Sequence, residues 1–496
     1  MFSKLKRLLT LSSLIFIASC GGGGGGSSGG AGSIISGTPK PTVSVVLSQA
    51  KTTVGIPVNL SWTSTNATTC KGLGNMAAGT LEKNGNTSIT PTAGGRFTYS
   101  VSCDGDGGTT INSVLLVVPI PVQKTSYLNA KNLNIPSQRY PAFNQLTHNG
   151  SYSDGVGPVA FADFFQEGRI SMVVFTNRGY FNQPTVINQG VIKFYKFDDN
   201  GNPAEYTSDL ISDESGCVSP KKLLVADYNG DGKPDIFAAC HGAELTPGTV
   251  WPGEHPRTLI SQPDGKYKNI LTALNCYCHT AAAADLNGDG FVDILTSDQR
   301  IGMPGSDVEN DITSMVLLSN DGKGNFTVQR NYTGVNISMP SVVSYNPLVF
   351  SVGAGRTGTF TMELVDVNGD EKPDLIFGTS DEFSYPSRVY LNRNNRFDTV
   401  DILIPTGIKN FWVIDIITKD SILYFYGSPN YIANPAIDFL YIYKYNISNK
   451  FGEIIYNSNG KKWPNSINEI DWGMMMPYKG NLVPLSDAYT GVSVPM

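Results

Sequence analysis

Three stretches of this chain repeat one pattern of carboxylate and amide side chains. They begin at Asp227, Asp285 and Asp366, and each has an oxygen-bearing side chain at positions one, three, five and nine. Alternate residues of a tight loop point inward, and calcium takes about 6–8 oxygen ligands in a flexible shell. The pattern therefore predicts three calcium loops, with position seven contributing its backbone carbonyl. The predicted ligands are Asp227, Asn229, Asp231, Lys233 and Asp235; Asp285, Asn287, Asp289, Phe291 and Asp293; and Asp366, Asn368, Asp370, Lys372 and Asp374.

The third loop differs from the other two at position six. Gly232 and Gly290 occupy that position in the first two loops, whereas Glu371 occupies it in the third. Glycine adopts left-handed backbone without strain, but a residue with a side chain loses about 1 kcal/mol there. We therefore expect the third loop to bind calcium more weakly.

The residues around the loops indicate which elements position them. Apolar stretches of strand type precede and follow each loop, such as Leu223–Ala226 and Ile236–Ala239 around the first. An EF-hand needs Glu at position twelve and a following helix, but the twelfth residues are Ala238, Thr296 and Phe377. Each loop is therefore expected to join two strands of a hairpin.

The unit ADxNGDGxxDI recurs at intervals of 58 and 81 residues (285 − 227 and 366 − 285), with weaker relatives at Asp163 and Asp415 that keep too few ligands. It resembles the FG-GAP and VCBS repeats of integrin α-subunits and bacterial surface proteins. The resemblance implies a β-propeller over residues 125–496, commonly with seven blades. About 50 residues a blade suits seven, and six is also compatible.

If the calcium loops join the first two strands of their blades, the other ends of those strands lie on the opposite face. The candidate ligand-binding residues there are His241, Glu244, His279, Asp298, Arg300 and Asp381. In the integrin-like family this face is the usual recognition face. Cys217, Cys240, Cys276 and Cys278 accompany them, and a rim held by disulfides is favoured over a metal or catalytic site because exported cysteines are usually oxidised.

Residues 39–121 show period-two alternation separated by turn residues, which is typical of a β-sandwich. Val58, Leu60 and Trp62 alternate with polar residues. The segments VGIPVNLSWTSTNATTC and TAGGRFTYSVSC resemble bacterial immunoglobulin-like domains, and that resemblance implies a bridge between Cys70 and Cys103. The simplest role for this domain is a spacer.

The N-terminus indicates export. Residues 1–20 carry Lys4, Lys6 and Arg7, then an apolar run that is shorter than the roughly 20 residues a membrane span needs. The run ends in Ile-Ala-Ser-Cys20, which resembles the lipobox of bacterial lipoproteins, so Cys20 is the expected lipidation site. Residues 21–38 are rich in Gly and Ser and read as a flexible tether. The residue after Cys20 is Gly21, and by resemblance this favours the outer membrane, with the leaflet undetermined.

Composition limits the remaining possibilities. A net charge of −6 with 16% charged residues argues against a nucleic-acid partner. Many glycines, prolines and tyrosines favour an all-β fold: a sandwich followed by a propeller.

We expect a non-enzymatic, calcium-stabilised adhesion module that recognises a protein or a glycan. The alternatives are a lyase-like, polysaccharide-degrading enzyme and a structural lipoprotein of envelope assembly.

Overall fold

The computed structural model describes residues 37–119, 158–176, 189–199, 203–243, 252–300, 307, 315–330, 359–379, 387–393, 397, 401–404, 406–408, 411–419, 421–429, 441–457, 475–478, 481–484 and 494–496. The predicted signal peptide, Cys20 and nearly all of the tether lie outside these ranges, as do Glu244 and Asp381. No helix in the described part of the chain combines the length and the apolar character needed to cross a membrane.

The N-terminal part is a two-sheet sandwich. Its strands are β1 (Thr42–Leu47), β2 (Val58–Thr65), β3 (Thr69–Gly74), β4 (Gly79–Leu81), β5 (Gly85–Ile89), β6 (Gly95–Gly105) and β7 (Gly108–Val118). One sheet has the order β1-β2-β5, and the other has the order β4-β3-β6-β7. Val58, Leu60 and Trp62 all point into the core, as their alternation predicts.

Cys70 and Cys103 form a disulfide in this sandwich. The two residues lie directly opposite each other on β3 and β6, which are neighbours in one sheet. The bridge therefore joins adjacent strands and not the two sheets.

The rest of the described chain forms successive antiparallel sheets, and each is built from strands in chain order. Five sheets have four strands, and we call them blades 1 to 5; the last sheet, blade 6, has three. A single helical turn, α1 (Thr207–Leu210), precedes blade 2. The strands are β8 (Val159–Ala162), β9 (Ser171–Phe175), β10 (Ile192–Phe197) and β11 (Pro203–Glu205); β12 (Pro220–Ala226), β13 (Asp235–Cys240), β14 (Arg257–Ser261) and β15 (Tyr267–Leu271); β16 (Cys278–Ala284), β17 (Asp293–Asp298), β18 (Met315–Asn320) and β19 (Phe326–Gln329); β20 (Thr359–Val365), β21 (Asp374–Thr379), β22 (Ser387–Tyr390) and β23 (Ile402–Ile404); β24 (Phe411–Lys419), β25 (Ile422–Pro429), β26 (Tyr441–Asn446) and β27 (Phe451–Asn457); and β28 (Met475–Tyr478), β29 (Asn481–Pro484) and β30 (Val494–Pro495).

The first strands of consecutive blades pack against one another. The contacts run from β8 to β12, β16, β20, β24 and β28 in order. The first strands of blades 2 and 4 also meet, because Lys222 Nζ lies 2.9 Å from Glu363 Oε1. These contacts place the first strand of each blade on the inside of the assembly, as in a β-propeller. Within the described ranges six sheets follow the sandwich.

Asp415 does not begin a loop. It lies inside β24, where it pairs with Tyr426 of β25. The prediction of a weak calcium-loop relative at this residue is therefore wrong. Apolar residues on both sides of Asp415 favour a continuous strand, and the hairpin turn comes only after Lys419.

Candidate functional site

The three acidic loops connect the first and second strands of blades 2, 3 and 4. They join β12 to β13, β16 to β17 and β20 to β21, as the flanking apolar stretches predict. Equivalent connections in neighbouring blades lie at the same end of the sheets. The three loops therefore lie on one face of the assembly, which we call the loop face.

The first Asp of each loop accepts backbone hydrogen bonds from positions four and six. Asp227 Oδ1 accepts from Gly230 N at 2.6 Å, and Oδ2 accepts from Gly232 N at 2.8 Å. The corresponding distances are 2.7 and 2.9 Å in the Asp285 loop, and 2.7 and 2.8 Å in the Asp366 loop. The chain must turn sharply to aim these N–H groups at one carboxylate, and left-handed residues at positions four and six permit that turn.

Glu371 adopts the strained backbone that the sequence predicts for position six. Its φ is 66°, beside 79° for Gly232 and 89° for Gly290. A Cβ added to either glycine would have no atom within 4 Å. There is room for a side chain at position six. The cost of Glu371 in the third loop therefore comes from its left-handed backbone and not from a clash with neighbouring residues.

The ninth Asp of each loop has a role that the spacing did not reveal. Asp235 is fully buried and accepts hydrogen bonds from Tyr228 N at 2.8 Å and from Ser261 N at 2.7 Å. The equivalent pairs of donors are Leu286 and Asn320 for Asp293, and Val367 and Asn392 for Asp374. Position nine therefore holds each loop against the last residue of the third strand of its own blade or, in blade 4, against Asn392 just beyond that strand.

Burial perturbs these ninth carboxylates. It raises the pKa of Asp235 to about 7, although Ser261 and Tyr228 donate to it. It raises the pKa of Asp293 and of Asp374 to about 6 in the same way. Neighbouring carboxylates of the same loop raise these pKa values further, so each loop concentrates negative charge.

The donor set fits a hard cation better than a soft one. Every side chain at positions one, three, five and nine offers oxygen, and calcium and magnesium prefer oxygen ligands. A cation would relieve the repulsion among the carboxylates of a loop. In this conformation the three carboxylates of a loop do not all bring an oxygen within 4.8 Å of one another. Among the described residues, the one acidic, histidine or cysteine triad inside that spacing is Cys217, Cys240 and Glu254.

The other ends of the same strands form what we call the opposite rim. His241 follows β13, and His279 lies on β16, and their ring centroids are 4.5 Å apart. The rings of both residues also lie against Tyr277. The exposed fractions of His241 and His279 are 0% and 2%, so these rings are packed between blades 2 and 3.

Two disulfides flank this histidine pair. Cys217 bonds to Cys240, and Cys276 bonds to Cys278. The sequence left this connectivity open but favoured disulfides over metal ligation. Because Cys217 and Cys240 are joined, the triad that they form with Glu254 does not offer two free thiolates.

Asp298 and Arg300 form a buried ion pair at the same rim. Arg300 Nε and Nη2 donate to the two Asp298 oxygens at 3.1 and 2.9 Å. The guanidinium also donates to the carbonyl oxygens of Pro252 and Asn275. Burial acts to raise the pKa of Asp298, but hydrogen bonds and charge from Arg300 outweigh it and lower that pKa below its usual value. This geometry positions Arg300 as a connector between blades 2 and 3.

Sequence reasoning missed three residues of the rim. Tyr277 packs on both histidines, Glu254 accepts from Val218 N at 2.9 Å, and Arg330 Nη1 donates to Asp298 at 3.0 Å. Arg330 lies 32 residues from its partner. No repeated pattern marks these positions, and only the flanking cysteines draw attention to Tyr277.

No protein-family model matches this chain, and no curated protein matches its sequence. Several solved structures are similar to this chain. A quinonprotein alcohol dehydrogenase-like protein from Bacteroides thetaiotaomicron is 11% identical with a TM-score of 0.29, covering 84% of this chain and 96% of that one. A rhamnogalacturonan lyase from Bacillus licheniformis is 13% identical with a TM-score of 0.31, covering 87% and 70%. The Dos1 propeller is 9% identical with a TM-score of 0.31, covering 68% and 64%.

Proposed function

We propose that this protein is a lipid-anchored, calcium-stabilised surface module that recognises a protein or a glycan. The module comprises an immunoglobulin-like spacer and a propeller of FG-GAP/VCBS type. Cys20 carries the lipid, in the outer membrane, and the propeller face opposite the calcium loops makes the recognition contact. No nucleic acid is involved.

One observation carries the calcium part of this proposal. Three loops on one face share the same hydrogen-bond pattern around the first and ninth Asp. The side chains at positions one, three, five and nine of each loop all offer an oxygen atom as a metal ligand. An Asx-rich turn could arise by chance once. Three equivalent copies with concentrated carboxylates are better explained by a shared ligand.

The burial of the two rim histidines argues against catalysis by them. His241 and His279 would be the candidate acid and base of a lyase-like enzyme, but both rings are buried. A general base must reach the proton that it removes. The same burial keeps His241, His279, Asp298 and Arg300 from direct ligand contact in this conformation. In the proposed function these residues therefore support the recognition surface from beneath, and the exposed residues around them make the contact.

The decisive experiment compares binding and turnover. The purified chain is applied to glycan arrays and to envelope-protein pull-downs, with calcium or with chelator, beside a lyase assay on acidic polysaccharides. We expect chelator-sensitive binding and no product. Product formation that is lost in His279→Ala but kept in His255→Ala would instead establish the enzyme.

A further inference from the structure

The loop of blade 1 has the backbone of a calcium loop. It joins β8 to β9, and Asp163 accepts from positions five and six, Glu167 N and Gly168 N, at 2.8 Å each. Asp227 of blade 2 likewise accepts from its positions five and six. Its positions four and six, Gln166 and Gly168, have φ angles of 56° and 67°. Ser171 stands at position nine, and its Oγ accepts from the second residue of the loop, as Asp235 does in blade 2.

The ligand positions of this loop hold other side chains. Position three is Phe165, and position five is Glu167. Lys196 Nζ lies 2.7 Å from Glu167 Oε1 and 4.3 Å from the centroid of the Phe165 ring. The negative charge at position five is thus neutralised from within the blade, and position three offers no oxygen.

The same loop contacts the sandwich. Arg96 Nη1, at the start of β6, donates to the carbonyl oxygen of Glu167 at 3.2 Å. Gly168 approaches the sandwich backbone so closely that an added Cβ would collide with the Gly95 carbonyl oxygen and lie 3.0 Å from that of Val118. Gly168 is therefore required twice, once for its left-handed φ and once for this approach.

We propose that the β8–β9 loop is a calcium loop converted into the docking surface for the sandwich of the same chain. The docked sandwich sits on the loop face of the propeller. Because the tether enters through the sandwich, the loop face lies toward the tether and the opposite rim lies away from it. The comparison with a calcium loop rests on the proposed function, whereas the docking goes beyond it, since it concerns how the two domains are held and not what they bind.

A matched pair of glycine variants tests the docking in the full chain. Gly168→Ala should break it, because the new methyl meets the sandwich backbone. Gly265→Ala has the same backbone cost, since Gly265 has a φ of 84°, but nothing lies within 4 Å of its added Cβ. Small-angle X-ray scattering should show a larger maximum dimension for Gly168→Ala and an unchanged one for Gly265→Ala.

Arg96→Ala supplies a second, milder test on the sandwich side. It removes one hydrogen bond without straining the blade, so it decides the question if Gly168→Ala fails to fold. We expect proteases to cut between residues 119 and 158 several-fold faster in Arg96→Ala than in the wild type. A wild-type chain that already scatters and cleaves like the variants would overturn the proposal. So would equal effects of the Gly168 and Gly265 substitutions.

Discussion

At the scale of the residue, Glu371 is the clearest deviation within a repeated pattern. It is held at a φ of 66°, where the equivalent residues are glycines. Relief of that strain should stabilise blade 4. The glycines at position six of the other two loops, Gly232 and Gly290, have open space where a side chain would lie.

We predict that Glu371→Gly raises the free energy of unfolding by about 0.5–1 kcal/mol, the typical cost of a left-handed residue with a side chain less the flexibility that glycine adds to the unfolded chain. Chemical denaturation measures the change. Glu371→Gln is the control, because it removes the charge and keeps the strain. Equal stabilisation by both variants would show that charge and not backbone is responsible.

Positions five and nine of a loop should respond differently to calcium. Asp293 is fully buried and accepts two backbone N–H groups, whereas Asp289 is exposed. Asp293→Asn should therefore destabilise by about 1–3 kcal/mol even in chelator, because a buried donor loses its acceptor. Asp289→Asn should matter only when calcium is present. Denaturation of both variants in calcium and in chelator separates the roles, and identical calcium dependence would contradict the division.

At the scale of the element, the Asp298–Arg300 pair joins the end of β17 to backbone of two neighbouring connections. Its partners include Pro252 and Asn275. Since Arg300 lowers the pKa of Asp298 in the folded state, the carboxylate contributes stability above its unfolded pKa. That contribution is lost as the pH falls through the lowered, folded value.

We therefore predict that Asp298→Asn destabilises the protein by about 3–5 kcal/mol at neutral pH, because it removes the buried charge partner of the Arg300 guanidinium and leaves it the exposed Asp307. The variant should also lose part of the wild-type decline in stability below about pH 4. Thermal unfolding across pH 2.5–7 measures both effects. Asp307→Asn is the matched control, since Asp307 contacts the same Arg300 but is 61% exposed. A comparable loss in the control would mean that burial is not the cause.

The two disulfides of the rim should differ in their contribution. They close segments with sequence separations of 23 and 2 residues. Loop-closure entropy predicts about 3.5 kcal/mol for the larger ring and about 1.5 kcal/mol for the smaller. The double variant Cys217→Ala/Cys240→Ala should thus lose more stability than Cys276→Ala/Cys278→Ala, although all four residues are equally buried. The reverse order in denaturant unfolding would show that the smaller ring has a role beyond closure.

The hairpins around the acidic loops were predictable from sequence because local information defines them. Apolar runs on both sides of a nine-residue turn leave few alternatives to a hairpin. In the structure β12 ends at Ala226, one residue before the loop, and β13 begins at Asp235, the ninth loop residue. Asp415 shows the limit of the same reasoning, since a single Asp in an apolar run carries no turn signal. The contact of Asp235 with Ser261 escaped prediction because it depends on which strand pairs third.

At the scale of the whole molecule, calcium should act as a stabiliser by mass action. A ligand at 100 times its Kd adds about 2.7 kcal/mol for each site. We predict that calcium raises the Tm of the chain and that chelator reverses the rise. The triple variant Asp231→Asn/Asp289→Asn/Asp370→Asn should be insensitive to both. An unchanged Tm in the wild type would mean that the loops hold no structural metal.

The contact between Lys222 and Glu363 joins blades that are not neighbours. The two residues are 141 positions apart, and Lys222 Nζ also donates to the Met362 carbonyl oxygen at 2.6 Å. A row of repeats that touch only their neighbours can lose terminal units one at a time. The Lys222–Glu363 contact joins blade 2 directly to blade 4. Unfolding of blade 2 therefore also removes a contact that stabilises blade 4. Unfolding of the central blades is therefore expected to be a single cooperative event, with fraying confined to the blades outside that link.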